Sequence, residues 1–390
     1  MSSKTFEAEL EPVRGHLRAR RFGEASSSAD DLCRRYPGEP DALVCRGLAC
    51  AAMGRHEEEV VAYEAALALK PEHTEARMNL GVAHLSAGRA EPARDAFREV
   101  LKHRPEDLKA RLHLAGACLM AEAHREAAEI LEGVTRENPD HGEAWLNLGV
   151  SYASLGKNVE AADCLKTARR LRPDDLRPPL NLGTLRFSES RFSEAVDEYI
   201  GALSLTPDDA DARFNLALAH LARKDYTLAA AQFREVSRLR PSDIEGWLYL
   251  GNTLLETDDR KGAFEAYGQA ARLDPKRPEV HYNLGVIHAR SERTQEALEA
   301  FQEALALNPS DIEARVYLGV VHMARNEFPD AVREFEQAVL LNPHHKEARY
   351  NLGVALCRLE RKDAARTQYR CLLDLDAGLA ERLHNWILAP

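Results

Sequence analysis

The sequence predicts an all-α solenoid of about eleven helix–turn–helix repeats closed by one extra helix at the C-terminal end. Three observations predict it. Prolines stand at 37, 71, 105, 139, 173, 207, 241, 275, 309 and 343, always 34 residues apart. Leucine recurs in the same phase at 80, 114, 148, 182, 216, 250, 284, 318 and 352; glycine follows it in most copies, and Ala115 and Ala217 are the small substitutes. Alanine recurs at 93, 127, 161, 195, 229, 263, 297, 331 and 365, with Phe97, Leu131, Leu165, Tyr199, Phe233, Tyr267, Phe301, Phe335 or Tyr369 four residues further on. A fixed period of this length marks a unit that buries its apolar face only by stacking on its neighbours.

With each repeat numbered 1 to 34 and proline at 32, copies begin at 6, 40, 74, 108, 142, 176, 210, 244, 278, 312 and 346. Residues 1–39 read as a degenerate N-terminal capping repeat. Pro12 stands where the recurrent leucine belongs, and a mid-helix proline costs about 3 kcal/mol. The first helix therefore either starts late, with Pro12 in its opening turn, or is kinked. Residues 22–36 read as its second helix.

Residues 40–379 hold ten regular repeats. Pro92 and Pro329 open second helices, and Pro178 and Pro179 a first helix, where a missing N–H matters little. Asp107, Asp175, Asp209, Asp243 and Asp311 read as N-caps. The turn inside each copy uses Gly54, Gly88 and Gly156 early. It later uses Lys224, Asp258, Glu292, Asn326 and Glu360, which predicts later turns less permissive of positive φ. The last copy has Ala377 in place of its proline. Residues 379–388 predict a further amphipathic helix with Leu379, Leu383, Trp386 and Ile387 on one face, and residues 380–390 complete it. This helix reads as a lid on the last repeat; the alternative is a dimer contact or partner hook through Trp386.

A net charge of −11 and a pI near 5.8 oppose nucleic-acid binding and attraction to anionic lipid. Seven cysteines without a C-x-x-C pair read as reduced, apolar fillers. Met1 to Leu10 show no apolar signal-peptide core, and no apolar run approaches the ~20 residues of a membrane span. A cytoplasmic location is the expectation.

The order Trp145, Leu148-Gly149, Tyr152, Ala161, Leu165, Pro173 at a 34-residue period resembles the tetratricopeptide repeat (TPR) family, over roughly residues 6 to 379. The resemblance implies two antiparallel helices per repeat wound into a right-handed superhelix, used mostly to bind proteins. It also implies that positions 2, 5, 6, 9 and 13 of each first helix line the concave side, while positions 4, 7, 8 and 11 face the core.

Position 5 is apolar throughout, with Phe214, Tyr282 and Tyr350 as candidate anchors. Position 6 carries Asn79, Asn147, Asn181, Asn215, Asn283 and Asn351, and aromatics at Tyr249 and Tyr317. A side-chain amide offers donors and an acceptor together, so it can pair with both halves of a peptide bond. The row is similar to the asparagine ladder of O-linked N-acetylglucosamine transferases, with gaps at Cys45, His113, Tyr249 and Tyr317; no residues remain for their catalytic domain. The alternative is that these amides cap or bridge neighbouring helices. Position 2 is acidic at Asp41, Glu75, Glu143, Asp211, Glu245, Glu279, Glu313 and Glu347. Such carboxylates suit a helix's first turn, and they also form an acidic rim toward a partner bearing Lys or Arg.

The chaperone-binding TPR members clamp a C-terminal carboxylate with lysines and asparagines at set positions. Here position 5 is apolar and position 6 has no arginine, so that mode is not expected. His84, His220, His288 and His322 occupy position 11, in different repeats, and are read as packed residues; no metal site is expected. Arg77, Arg111, Arg213, Arg315 and Arg349 replace tryptophan at position 4, with stems over apolar surface and heads reaching water. No phosphate loop, nucleophile elbow or carboxylate pair is present, and no cofactor is implied. The reading is a non-enzymatic scaffold that binds a partner protein or peptide in its groove. The alternative is a homo-oligomerising structural component joined through its terminal repeats.

Overall fold

The computed structural model describes residues 3–389. Within them the chain forms 23 helices, and it divides into two compact units that meet between Leu205 and Thr206. The first unit holds α1 (Ser3–Arg18), α2 (Phe22–Arg35), α3 (Pro40–Ala52), α4 (His56–Leu69), α5 (Thr74–Ser86), α6 (Ala90–His103), α7 (Leu108–Met120), α8 (His124–Glu137), α9 (Gly142–Ser154), α10 (Asn158–Leu171), α11 (Arg177–Ser188) and α12 (Phe192–Leu205). The second holds α13 (Ala210–Ala222), α14 (Tyr226–Leu239), α15 (Ile244–Glu256), α16 (Arg260–Leu273), α17 (Pro278–Arg290), α18 (Thr294–Leu307), α19 (Ile312–Ala324), α20 (Phe328–Leu341), α21 (Lys346–Arg358), α22 (Lys362–Leu375) and α23 (Ala377–Leu388). Odd-numbered helices are the first of a pair and even-numbered the second. Inside each unit, helices adjacent in sequence pack together, as a solenoid's local contacts require.

The turn inside a pair is the same in every copy. Position 15 takes a left-handed backbone at Gly54, Gly88 and Gly156, and equally at Arg20, Glu122, Ser190, Lys224, Asp258, Glu292, Asn326 and Glu360, where φ is 56° to 64°. The N–H of the next residue returns to a carbonyl five residues back, as Arg55 does to Cys50 at 2.9 Å and Arg361 to Leu356 at 2.9 Å. This is the helix-ending motif that glycine favours. The expectation that later turns avoid positive φ is therefore corrected: helix-pair closure imposes the geometry, and non-glycine residues accept the strain.

Most first helices start on side-chain caps, whereas α3 and α17 open on Pro40 and Pro278 without one. Asp107, Asp209 and Asp311 accept from the N–H three residues on, and Asp243 from Glu245. Asp175 is displaced by one: Leu176 is the cap residue, and Asp175 accepts from the Arg177 N–H at 3.0 Å. His73, His141 and His345 cap through Nδ1 at 3.1–3.2 Å, a role the sequence reading missed. Because Nδ1 accepts, Nε2 carries the proton and faces Asp41 from His73 at 3.1 Å and Glu313 from His345 at 3.0 Å.

Position 4 closes the loop that contains the periodic proline. Trp145 and Trp247 donate their indole N–H to the carbonyls of Pro139 and Pro241 at 2.8 and 3.0 Å. Arg213, Arg315 and Arg349 donate to Pro207, Pro309 and Pro343 at 3.0, 2.9 and 2.6 Å. These guanidiniums also reach Gln232, Glu334 and Gln368. The heads of Arg213, Arg315 and Arg349, expected in water, thus bond the proline loop of the preceding repeat, where arginine does the work of the indole, whereas Arg111 pairs with Glu137.

The core lies between the helices of each pair. Position 24 is its centre: Tyr63, Phe97, Leu131, Leu165, Phe233, Tyr267, Phe301 and Phe335 are all at most 1% exposed. Position 8 faces it. A Cβ on Gly319 would stand 2.6 Å from the Phe335 ring, closer than any real contact. In the last pair the Cβ of Gly353 would meet Leu383 of α23 instead, so α23 completes that core.

Two terminal expectations change. α1 runs from Ser3 to Arg18 with Pro12 inside it, so the late-start alternative fails. α23 begins at Ala377, capped by Asp376. Leu383 and Ile387 are buried, whereas Trp386 is 39% exposed. Trp386 therefore does not share the buried face predicted for it.

Candidate protein-interaction face

Positions 5 and 6 of the first helices are set by what lies behind them. The alanine at position 3, such as Ala76, Ala144, Ala212, Ala314 and Ala348, and the leucine at position 7 are buried. This anchors one side of the helix and leaves position 6 at the edge of the core. All six asparagines are half-buried. Asn181 donates to the Arg177 carbonyl of its own helix at 2.8 Å. The side-chain amides of Asn79, Asn147, Asn215, Asn283 and Asn351 make no hydrogen bond within the chain among the described residues. No bridge between helices runs through any of the six, and none of their amide atoms is sealed off unpaired.

Three of the four gaps in the row, Cys45 being the exception, share one arrangement. His113, Tyr249 and Tyr317 each lay a flat ring on the position-24 phenylalanine of the preceding repeat. The centroid separations are 5.3 Å to Phe97, 5.3 Å to Phe233 and 5.7 Å to Phe301, with interplanar angles of 17°, 19° and 19°. Phe214 and Tyr282 then meet Tyr249 and Tyr317 edge-on at 5.3 and 5.7 Å. Unit two thus carries two matching aromatic triads, two repeats apart, each with two half-buried rings resting on a fully buried phenylalanine. Burial, and then the neighbouring Tyr317 hydroxyl, push the Tyr282 phenol above its ordinary range. Tyr350 is covered on one face by the Arg382 guanidinium at 4.9 Å.

Arginines of this chain neutralise four of the eight acidic positions, Glu143, Asp211, Glu245 and Glu279. Arg240 holds Asp211 through two bonds of 2.7 and 2.8 Å and pulls its carboxyl below the usual range. Glu143 meets Arg172 and Arg177, Glu245 meets Arg277, and Glu313 meets His345. Glu279 and Glu347 lie 3.5 and 3.6 Å from Arg277 and His345. Glu75 has no such partner among the described residues. The pairs of Glu143 with Arg172, Asp211 with Arg240, Glu245 with Arg277 and Glu313 with His345 tie a first helix to the loop that leads into the next repeat.

At position 11, His84, His220 and His322 are buried and His288 is half-buried. Nδ1 of His84, His220 and His288 lacks a hydrogen-bond partner. Burial lowers the pKa of all three. Arg89, Arg223 and Arg293 add to this, while Glu64, Asp225 and Glu296 oppose it. The unfolded chain takes up protons near the ordinary pKa of about 6.5 and the folded chain only lower. The stability that neutral histidines contribute is complete above about pH 6.5 and is lost as pH falls below it. Thermal unfolding from pH 8 to 5 should show this loss. A variant carrying His84→Tyr, His220→Tyr and His288→Tyr, the residue type of Tyr152, should lose less over the same range.

His322 accounts for one further cluster that sequence spacing did not flag. Its ligand atom, with those of Glu327 and Asp330, lies within a 4.8 Å set. Glu327 is already held by the His322 ring at 2.7 Å and by Arg325 at 2.9 Å, which keep its carboxyl below the usual range.

Paired helices of constant length, stacked in register around a small residue at each crossing, define a helical-repeat protein. The chain belongs to the tetratricopeptide repeat family. Residues 175–371, half of the chain, match the family model described as the cilia and flagella-associated protein 70 C-terminal domain. Tetratricopeptide repeat models match residues 50–112 and 119–178, and residues 13–63. Among solved structures, the C-terminal part of a TPR repeat-containing protein from Cytophaga hutchinsonii shares the fold. Its TM-score is 0.56 at 15% identity, over 62% of this chain and 99% of that one. Yeast Tom70 aligns with a TM-score of 0.40 at 16% identity, over 98% and 94% of the two chains. YrrB, described as a TPR protein with an unusual peptide-binding site, aligns at 0.44 and 22% identity, over 48% and 96%. No curated protein matches the sequence. No described helix is long and apolar enough to cross a membrane.

Proposed function

We propose that the chain is a non-enzymatic scaffold that holds an extended segment of a partner protein along the position-5 and position-6 rows of its first helices. One observation carries this reading: five of six asparagines in a periodic row keep their amides free of partners within the chain at half-buried positions. An amide at the edge of an apolar surface is well placed to pair with a peptide backbone while neighbouring rings take side chains. At Glu143, Asp211, Glu245 and Glu279 the acidic row supports the stack rather than the ligand, because arginines of this chain already match those charges. Phe214, Tyr249, Tyr282, Tyr317 and Tyr350 supply apolar contact beside the amides.

The test uses peptides selected from a random library on the full chain. Changing Asn215, Asn283 and Asn351, three free amides of the second unit, together to alanine should weaken their binding about tenfold or more, at about 1 kcal/mol per lost hydrogen bond. The helical circular dichroism should not change. Unaltered affinity would make the row structural.

A further inference from the structure

In α21 the buried residues Ala348, Leu352 and Leu356 mark the core face. One period further, the same face would fall on residues 382 and 386. In α23 it falls instead on Ala380, Leu383 and Ile387. The helix is therefore turned by about one residue, roughly 100°, which moves Arg382, Asn385 and Trp386 into the places of positions 2, 5 and 6. The three are exposed, and with Tyr350 and Ala389 they line a cleft of about 470 Å³. An adjoining cleft of about 530 Å³ shares Trp386 and adds Arg358 and Lys362, with Glu360 its one carboxylate.

Most arginines of this acidic chain have carboxylate partners; Arg358 and Arg382 have none among the described residues. Each instead lies over a ring, Arg358 over Phe328 at 4.7 Å and Arg382 over Tyr350 at 4.9 Å. Stacking uses the flat face of a guanidinium and leaves the N–H groups on its edge free for a two-point bond to a carboxylate. The Asn385 amide and the Trp386 indole N–H also make no hydrogen bond among the described residues and offer further donors beside it. Apolar rings around an unmatched cation suit a carboxylate borne on a carbon stem.

We infer that Arg382, Asn385 and Trp386, backed by Tyr350 and flanked by Arg358, bind glutamate or aspartate side chains of a partner peptide. Charge complementarity selects that occupant: the two clefts are lined by three cations, Arg358, Lys362 and Arg382, against the single carboxylate of Glu360. The inference does not depend on the asparagine row.

The experiment is calorimetric titration of the full chain with acetyl-hexaglutamate-amide, which has no terminal carboxylate, and with acetyl-hexaglutamine-amide. The glutamate peptide should bind and the glutamine peptide should not. Arg382→Gln and Asn385→Asp should each weaken binding about tenfold, as loss of a charge-assisted bond implies. Changing Arg272, an exposed cation without an acid partner, to glutamine should change nothing. The triple variant Asn215→Ala, Asn283→Ala, Asn351→Ala should still bind the glutamate peptide, so failure of the asparagine reading stays separate. No binding by the wild type, or equal weakening by Arg272→Gln, would overturn the inference. So would phosphatidylserine vesicles captured with the same dependence on Arg382, or a dimer seen by light scattering and lost in Trp386→Ala.

Discussion

Replacing Phe301 by alanine should destabilise the second unit by about 3–5 kcal/mol, the usual range for emptying a fully buried phenylalanine site. Phe301 is 0% exposed and lies opposite Gly285, whose missing side chain makes room for the ring. It also floors Tyr317, which stacks on it at 5.7 Å, and supports Tyr282 at 6.0 Å. Removing it thus takes the support from one aromatic triad while leaving Phe214, Phe233 and Tyr249 in place. Urea unfolding followed by circular dichroism measures the loss. A cost below about 1 kcal/mol would mean that the pair of helices collapses to fill the space, and that position 24 is not the centre of the repeat. Unfolding confined to the second unit would show as a separate transition, since a solenoid's stability is a sum of local terms.

The fold was legible because a 34-residue period fixes helix, turn and crossing at once. Proline, leucine, the small residue and the position-24 ring each mark one of these, and α3 to α22 start and stop in that frame. What the frame hid were exchanges between unlike side chains that perform one task. Arginine and tryptophan both place an N–H on the proline carbonyl, although only one looks apolar. Histidine caps a helix as aspartate does, through a neutral ring nitrogen. The left-handed turn at Glu122 or Glu360 bears no glycine, because the pair's closure sets the backbone there. On the candidate face, periodicity found the asparagine row but not its logic: the gaps at His113, Tyr249 and Tyr317 are rings seated on the preceding repeat's phenylalanine. The turned α23 was also hidden. Its phase depends on how Leu383 fills the space beside Gly353, a packing fact with no marker in the period.

Gly319→Val should destabilise the second unit by about 1–3 kcal/mol or more, whereas Gly319→Ala should cost much less. The two outcomes come from one crossing. A Cβ at 319 would stand 2.6 Å from Cε1 of Phe335 and 2.8 Å from its Cζ, so the ring must shift. The chain already shows how far such a ring can give: Ala217 sits opposite Phe233, and both are 0% exposed. A single methyl is therefore accommodated by a small displacement of the ring, and alanine recovers part of that strain through its better helix propensity. Valine adds two further carbons on a side chain stiff at χ1, and the ring has no free volume behind it because Phe335 is itself fully buried. Chemical denaturation of both variants separates the cases. Equal losses for alanine and valine would show that the backbone at 319, rather than the clearance to Phe335, is what requires glycine. Its backbone is ordinary right-handed helix within α19, so clearance is the expected answer.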